Sequence, residues 1–395
     1  MHALLPFLLV LVASVFSAAI FRRFHLPWVI ALIVGGIVIG PQVLNVYQAN
    51  PTINFLADIG LVFLMFMAGL ETKLSSFSEL KSSIYPLSFI NGFVPMLVGL
   101  GIAILFGYPM STALLLATIF VSSSVAVVIP SLESTGLMQS KLGQAVMSTS
   151  IIQDVASLVL LSLILQSYQP TTFLPLYLFY PLVLASLIIL RWLIPQVQDL
   201  FCKNIKAEED LFQQEFRAIF LILIATTALF ELLGLHAIIA GFFTGLVLSE
   251  SIESDILKIK LRAIGYGIFI PTFFVYVGTQ TDILVFTRVS GAVLLTVVIL
   301  LGSLLSKLLS GTLGAKLVGF NWKQSTLFGV SSIPQLSTTL AAAFSAQSIG
   351  LLTEEILTAL IILSVVTTLI SPTLMGILSR EVLGKKDLKM KKQLK

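Results

Sequence analysis

Apolar residues in this chain gather into runs of roughly 20, long enough for a helix to cross a bilayer. Thirteen spans are predicted, near 3–20, 28–46, 53–70, 84–106, 112–131, 142–166, 174–196, 214–233, 236–250, 262–281, 289–313, 322–346 and 354–378. The ninth is short, and the tenth carries Pro271 and several glycines, so irregular helix is expected there. The polar loop near 197–213 and the tail from Ser379 to Lys395 are too short for a folded domain. Met1 to Ile20 lacks a basic n-region and runs straight into Arg22-Arg23, which predicts a retained first helix rather than a secretory signal.

Two spans are interrupted by residues unsuited to a mid-membrane helix. Ser122, Ser123 and Ser124 lie inside the fifth, with Pro130 beyond, and Ser331-Ser332-Ile333-Pro334-Gln335-Leu336-Ser337-Thr338-Thr339 lies inside the twelfth. Non-helical backbone at that depth must be satisfied by protein or by a water-filled cavity. Each interrupted span is the middle of a triplet, 84–166 and 289–378, and the triplets have opposite topology. That is the pattern of an inverted repeat with an ion site at the midplane. Hydroxyls bonding back to their own helix are the alternative reading.

Basic residues give the orientation. With the N-terminus outside and the C-terminus cytoplasmic, 21 of the 23 lysines and arginines fall on the cytoplasmic side. Only Arg288 falls outside and only Lys307 within the membrane, so an odd number of spans is expected. Composition agrees with a membrane protein: 57% hydrophobic and 11% charged residues, with a mean hydropathy of +1.03. The net charge of +4 sits largely in the cytoplasmic loops and the tail, which predicts contact with anionic lipid and argues against nucleic acid. One cysteine, Cys202, excludes an intramolecular disulfide and a cysteine metal cluster. No nucleophile–base constellation or metal cluster suggests an enzyme, and no cofactor is expected.

Two charges remain at depth. Asp154 lies near the centre of the apolar run from Leu142 to Leu165, where a carboxylate costs roughly 3 kcal/mol and usually faces a cavity. A protonated aspartate hydrogen-bonded between helices is the alternative. Lys307 is too far from the cytoplasmic end of its helix to snorkel readily, and is expected to balance Asp154 or the helix ends. Asp58 and Glu231 lie near outer helix ends within reach of water, and His236 reads as an interfacial residue.

The stretches Gly35-Gly36-Ile37-Val38-Ile39-Gly40-Pro41, Gly60–Glu71, Gly234–Phe243 and Pro271–Gly278 resemble the monovalent cation:proton antiporter-2 family along almost the whole chain. The resemblance implies an all-α polytopic membrane protein with the NhaA-like fold: two inverted repeats with crossed discontinuous helices, plus a dimerisation panel. It divides the chain into panel, 1–83; first repeat, 84–173; linker helix and loop, 174–213; second part of the panel, 214–288; second repeat, 289–378; and basic cytoplasmic tail, 379–395. The ion-binding carboxylate maps onto Asp154 and the membrane lysine onto Lys307. Gln153-Asp154 is the pair of the Kef-type potassium/proton branch, and Gln335 stands where relatives often carry an acid. The regulatory nucleotide-binding domain of many Kef-type proteins is not expected after Lys395, which leaves a separate cytosolic regulatory subunit as a partner class.

The expected site is therefore Asp154 with Gln153, Ser122, Ser123, Ser124 and Thr149 around a monovalent cation, charge compensation by Lys307, and Gln335 and Ser337 lining from the second repeat. The expected activity is exchange of sodium or potassium for a proton, electroneutral because Gln153 cannot titrate, by a homodimer in the plasma membrane. A cation channel or uniporter and a non-transporting sensor are the alternatives.

Overall fold

The computed structural model describes residues 4–23, 28–47, 51–71, 84–168, 181, 185, 188–189, 191–197, 214–232, 237–249, 251–252, 254–282 and 284–382. Most of the expected seventh span and nearly all of the loop 197–213 lie outside them, as do Cys202, His236 and the tail beyond 382. Among the described residues there is helix and no strand. Seven helical stretches are long and apolar enough to cross a membrane, and three shorter apolar helices accompany them.

The chain folds into two compact units. One takes the described residues of Met1–Ser78 and Leu165–Ile283. It holds α1 (Leu4–Arg23), α2 (Trp28–Ile39), α3 (Pro51–Glu71), α8 (Gln214–Leu232), α9 (Ala237–Leu248), α10 (Asp255–Ile264) and α11 (Ile270–Gln280). Helices α2 and α3 both pack on α11, and α9 lies along α3. A Cβ on Gly36 would lie 2.9 Å from the Cα of Gly278, so only glycine lets α2 and α11 approach this closely. The irregularity expected in the tenth span is a π-turn at Gly265–Phe269. Asp58 and Glu231 are exposed in this unit.

The other unit takes the described residues of Glu79–Ile164 and Leu284–Lys395. It holds α4 (Ile84–Leu105), α5 (Met110–Val121), α6 (Val125–Thr135), the first part of α7 (Lys141–Tyr168), α12 (Val285–Arg288), α13 (Ala292–Leu317), α14 (Trp322–Ser331), α15 (Ser337–Ser348) and α16 (Glu354–Val382). The fifth expected span is thus two half-helices, α5 and α6, and the twelfth is α14 and α15. Local chemistry explains their ends. At α14, Asn321 and Gln324 form a reciprocal capping box. Pro334 then denies its N–H to any continuation and biases Ile333 away from helical geometry. At α5, Ser122 turns extended, and its hydroxyl bonds back to Ile119 O at 3.1 Å. Helix α6 ends on Gly136 at a φ of 73°, a left-handed cap natural to glycine.

Leu87, Val128, Leu132, Leu142, Val146, Phe328 and Met375 form one buried cluster that draws α4, α6, α7, α14 and α16 together. Helix α13 packs closely on α14 because Gly311 and Gly329 face across the contact. A Cβ on Gly329 would stand 2.5 Å from the Leu308 carbonyl oxygen and nearer still to the Thr312 hydroxyl. Gly329→Ala is therefore expected to force α13 and α14 apart and destabilise the protein by about 1–3 kcal/mol. The check is the unfolding midpoint of the purified protein in detergent; an unchanged midpoint would refute the close contact.

Candidate ion-binding site

The two interruptions meet. Ser124 N donates to Pro334 O at 2.7 Å, joining the break between α5 and α6 to the break between α14 and α15. Hydroxyls run alongside: Ser122 and Thr339 lie 3.0 Å apart, and Ser124 and Ser337 lie 3.5 Å apart. All four are buried.

Asp154 comes to this junction from the middle of α7 and is 2% exposed. Its Oδ1 accepts from Ser123 N at 3.3 Å and from the Thr338 hydroxyl at 3.0 Å. Ser123 lies just before α6, and Thr338 lies in the first turn of α15. The carboxylate therefore sits where the positive ends of two half-helices point. The Ser123 hydroxyl faces Ser150 at 3.3 Å, extending the polar surface along α7.

Lys307 is fully buried on α13 and serves the opposite end of the break. Its Nζ donates to Val121 O, the last carbonyl of α5, at 2.7 Å, and to Gln153 Oε1 at 3.0 Å. Among the described residues no ion pair within 4 Å joins it to Asp154. Of the two roles expected for Lys307, geometry assigns the helix end: a cation on the carbonyls of α5, where the dipole is negative. Gln153 links the lysine to α4, donating through Nε2 to Ser88 O at 3.3 Å while its oxygen accepts from the lysine.

The expected residues thus separate. Ser123 touches Asp154, while Ser122, Ser124 and Ser337 line the meeting of the breaks. Gln153 is bound to Lys307. Thr149 accepts from the Ser88 hydroxyl at 3.3 Å, one side removed from the carboxylate. Gln335 gives its backbone N–H to Thr367 Oγ1 at 3.2 Å, while its side-chain amide has no partner among the described residues.

Thr338, Ser88 and Asn91 were missed. Asn91 accepts from the Ser310 hydroxyl at 2.9 Å and is wholly buried on α4. A lone asparagine in an apolar span is a legible signal. Thr338 gave a weaker one, since a threonine in a hydroxyl run is equally suited to bonding its own helix.

A buried carboxylate and a buried cation, each fixed to the broken ends of helices inside an apolar bundle, define a membrane ion transporter. The sequence matches the family described as "Sodium/hydrogen exchanger, transmembrane" over residues 9–380, and the chain belongs to that family. It is 31% identical over 360 residues to the probable Na+/H+ antiporter 3 of Methanocaldococcus jannaschii, covering 89% of this chain and 90% of that one. It is 28% identical over 390 residues to an Na+/H+ antiporter of Enterococcus hirae, covering 95% and 97%. Its fold is that of the sodium proton antiporter MjNhaP1 of Methanocaldococcus jannaschii, with a TM-score of 0.70 at 16% identity, covering 95% of this chain and 97% of that one. The family is one of multi-pass transporters, not enzymes.

Removing the donor at the α5 terminus tests the lysine's place. Lys307→Met leaves Val121 O and Gln153 Oε1 buried without a donor, each at about 1–3 kcal/mol. A clear fall in the unfolding midpoint is expected, whereas equal stability would show that Lys307 does not cap α5.

Proposed function

We propose that Asp154 is the carrier of an exchange in which one monovalent cation, sodium or potassium, crosses the membrane against one proton. As a member of the sodium/hydrogen exchanger family, the chain is a cation/proton antiporter. One observation carries the assignment of the site: Asp154 is the single acid buried within its unit among the described residues, and both broken helices reach it.

The chemistry follows from the surroundings. In the protonated state the carboxyl is neutral and compatible with the apolar interior. When it loses the proton, a cation takes the charge. The hydroxyls of Ser122, Ser123 and Ser124 and the carbonyls at the breaks then supply oxygens in place of water. An empty, ionised carboxylate is the state whose passage through hydrocarbon is costly. Proton and cation therefore alternate on one group, and each return of the site carries one of them.

The finer architecture belongs to the same reading. Two inverted repeats, 84–173 and 289–378, are supported by the matching geometry at their breaks. On α7, Asp154 accepts from Ser123 N, and on α16, Thr367 Oγ1 accepts from Gln335 N. The panel that joins two copies into a dimer is assigned to 1–83 and 214–288, which fall mostly in the other unit, with 174–213 as linker. The N-terminus is placed outside the plasma membrane and the C-terminus inside, where basic segments meet anionic lipid. Gln153-Asp154 keeps the likeness to the Kef-type branch, and a separate cytosolic subunit is the partner class for regulation.

Two measurements in proteoliposomes with an internal pH dye test this reading. Asp154→Asn is expected to abolish cation-driven proton flux while the protein still inserts and keeps its oligomeric state. Near-normal flux in that variant would place the carrier elsewhere. With Gln153 unable to titrate and Lys307 retained as a capping cation, exchange is expected to be electroneutral. One charge crossing 100 mV is worth about 2.3 kcal/mol, so any net charge would show plainly. Rates that change strongly or reverse with imposed potential would make Lys307 a second proton carrier, and current without proton movement would make the protein a channel.

A further inference from the structure

Gln335 is the one described residue both of whose side-chain polar atoms are buried without a hydrogen-bond partner. It is 0% exposed, and neither its Oε1 nor its Nε2 has a hydrogen-bond partner among the described residues. An amide left this way is destabilising, whereas a methionine or leucine would fill the same space without that burden. The backbone around it, by contrast, is committed. Pro334 O accepts from Ser124, and Gln335 N reaches Thr367. One residue further along α16, the buried hydroxyl of Thr368 also lacks a partner among the described residues. Gln335 and Thr368 thus both carry unpartnered buried polar atoms beside the bond from Gln335 N to Thr367, three residues before Thr338, which holds Asp154.

The chemistry of the amide narrows what belongs there. It presents one acceptor and one donor group side by side, both neutral. A bare cation would match the oxygen and be repelled by the N–H groups, and an anion would do the reverse. Water matches both, accepting from Nε2 and donating to Oε1, and buried waters are held by about 2–4 polar partners.

We propose that Gln335 holds an ordered water in the second break, a hydration station from which the cation exchanges its solvent on the way to or from Asp154. The role deepens the antiport reading and rests on it. A cation entering a bundle must shed its hydration shell, and a water fixed beside the path replaces part of it before the carboxylate and hydroxyls are reached. The station is neutral, so it tunes cation access and not the proton count.

The test compares wild type with Gln335→Met and Gln335→Asn in proteoliposomes, recording proton flux against sodium and potassium concentration, beside thermal unfolding in detergent. Gln335→Met is expected to unfold at the same or higher temperature yet show a cation KM raised about tenfold, with maximal flux within about twofold of wild type. Gln335→Asn, which retains the amide, is expected to recover part of that loss. Radiolytic hydroxyl labelling, which marks side chains beside bound water, is expected to modify the 333–337 segment in wild type and to weaken there in Gln335→Met. An unchanged KM in Gln335→Met would overturn the station. So would a steep fall in its stability, because the amide would then serve a structural partner. Absence of exchange in wild type would overturn the antiport reading instead, and the labelling arm would still decide whether water is held.

Discussion

Two helices stop in the middle of an apolar bundle, and their backbone groups must find partners where bulk water does not reach. That constraint organises the second unit. An unpaired N–H or carbonyl in such a place costs several kcal/mol, so a broken helix persists only if its surroundings answer each group. Here the answers are individual: Val121 O to Lys307, Ser123 N to Asp154, Ser124 N to Pro334 O, and Gln335 N to Thr367. Val330 O, near the end of α14, is met by the Ser371 hydroxyl at 2.8 Å. Remove one partner and the break has no reason to stay open at that point.

The same accounting fixes where charge can sit. A carboxylate is stabilised by N–H groups and positive helix ends, and an ammonium by carbonyls and negative ends. Asp154 and Lys307 occupy those two kinds of position around one interruption. They do not need each other as an ion pair, because Gln153 takes a hydrogen bond from the lysine where a second acid would otherwise attract it. A direct pair would be expected to break whenever a cation displaced the lysine, tying the state of the lysine to each turnover. Held by Val121 O and Gln153 Oε1, the lysine has partners that do not include the carboxylate.

How much of this was legible in the sequence depends on whether the physics is local. The interruption at 332–336 is written in Pro334, which acts on its own backbone, as the start of α14 is written in the Asn321–Gln324 capping box. The serine run at 122–124 is a weaker sign, since serines also sit within helices bonded to the preceding turn. Apolar length gave the helical runs, but the number of spans depends on a segment around 174–196 that lies largely outside the described residues. Contacts between distant segments were the hardest to read. Lys307 could as easily have faced Asp154 as the end of α5, because both bear negative charge and sequence gives no distance. Thr149 shares α7 with Asp154, yet five residues of helix place it toward Ser88 and α4. Thr338 was hidden among neighbours of the same kind, and only the approach of α15 to α7 singles it out.

The two breaks are alike in plan and unlike in chemistry, and that difference bears on coupling. At the first, a carboxylate from the neighbouring long helix accepts the freed N–H; at the second, the Thr367 hydroxyl does. A hydroxyl satisfies a backbone donor without being able to give up charge near neutral pH. A carboxylate satisfies it and can also alternate between neutral and ionised forms. Two equivalent acids would let the bundle hold two protons, and one vacated acid would have to cross alone or be matched by a second cation. In the proposed exchange, one acid requires one occupant for each passage. A neutral second break adds no titrating group, so it leaves the charge on the site to Asp154 alone, a division of labour that two titratable breaks could not support.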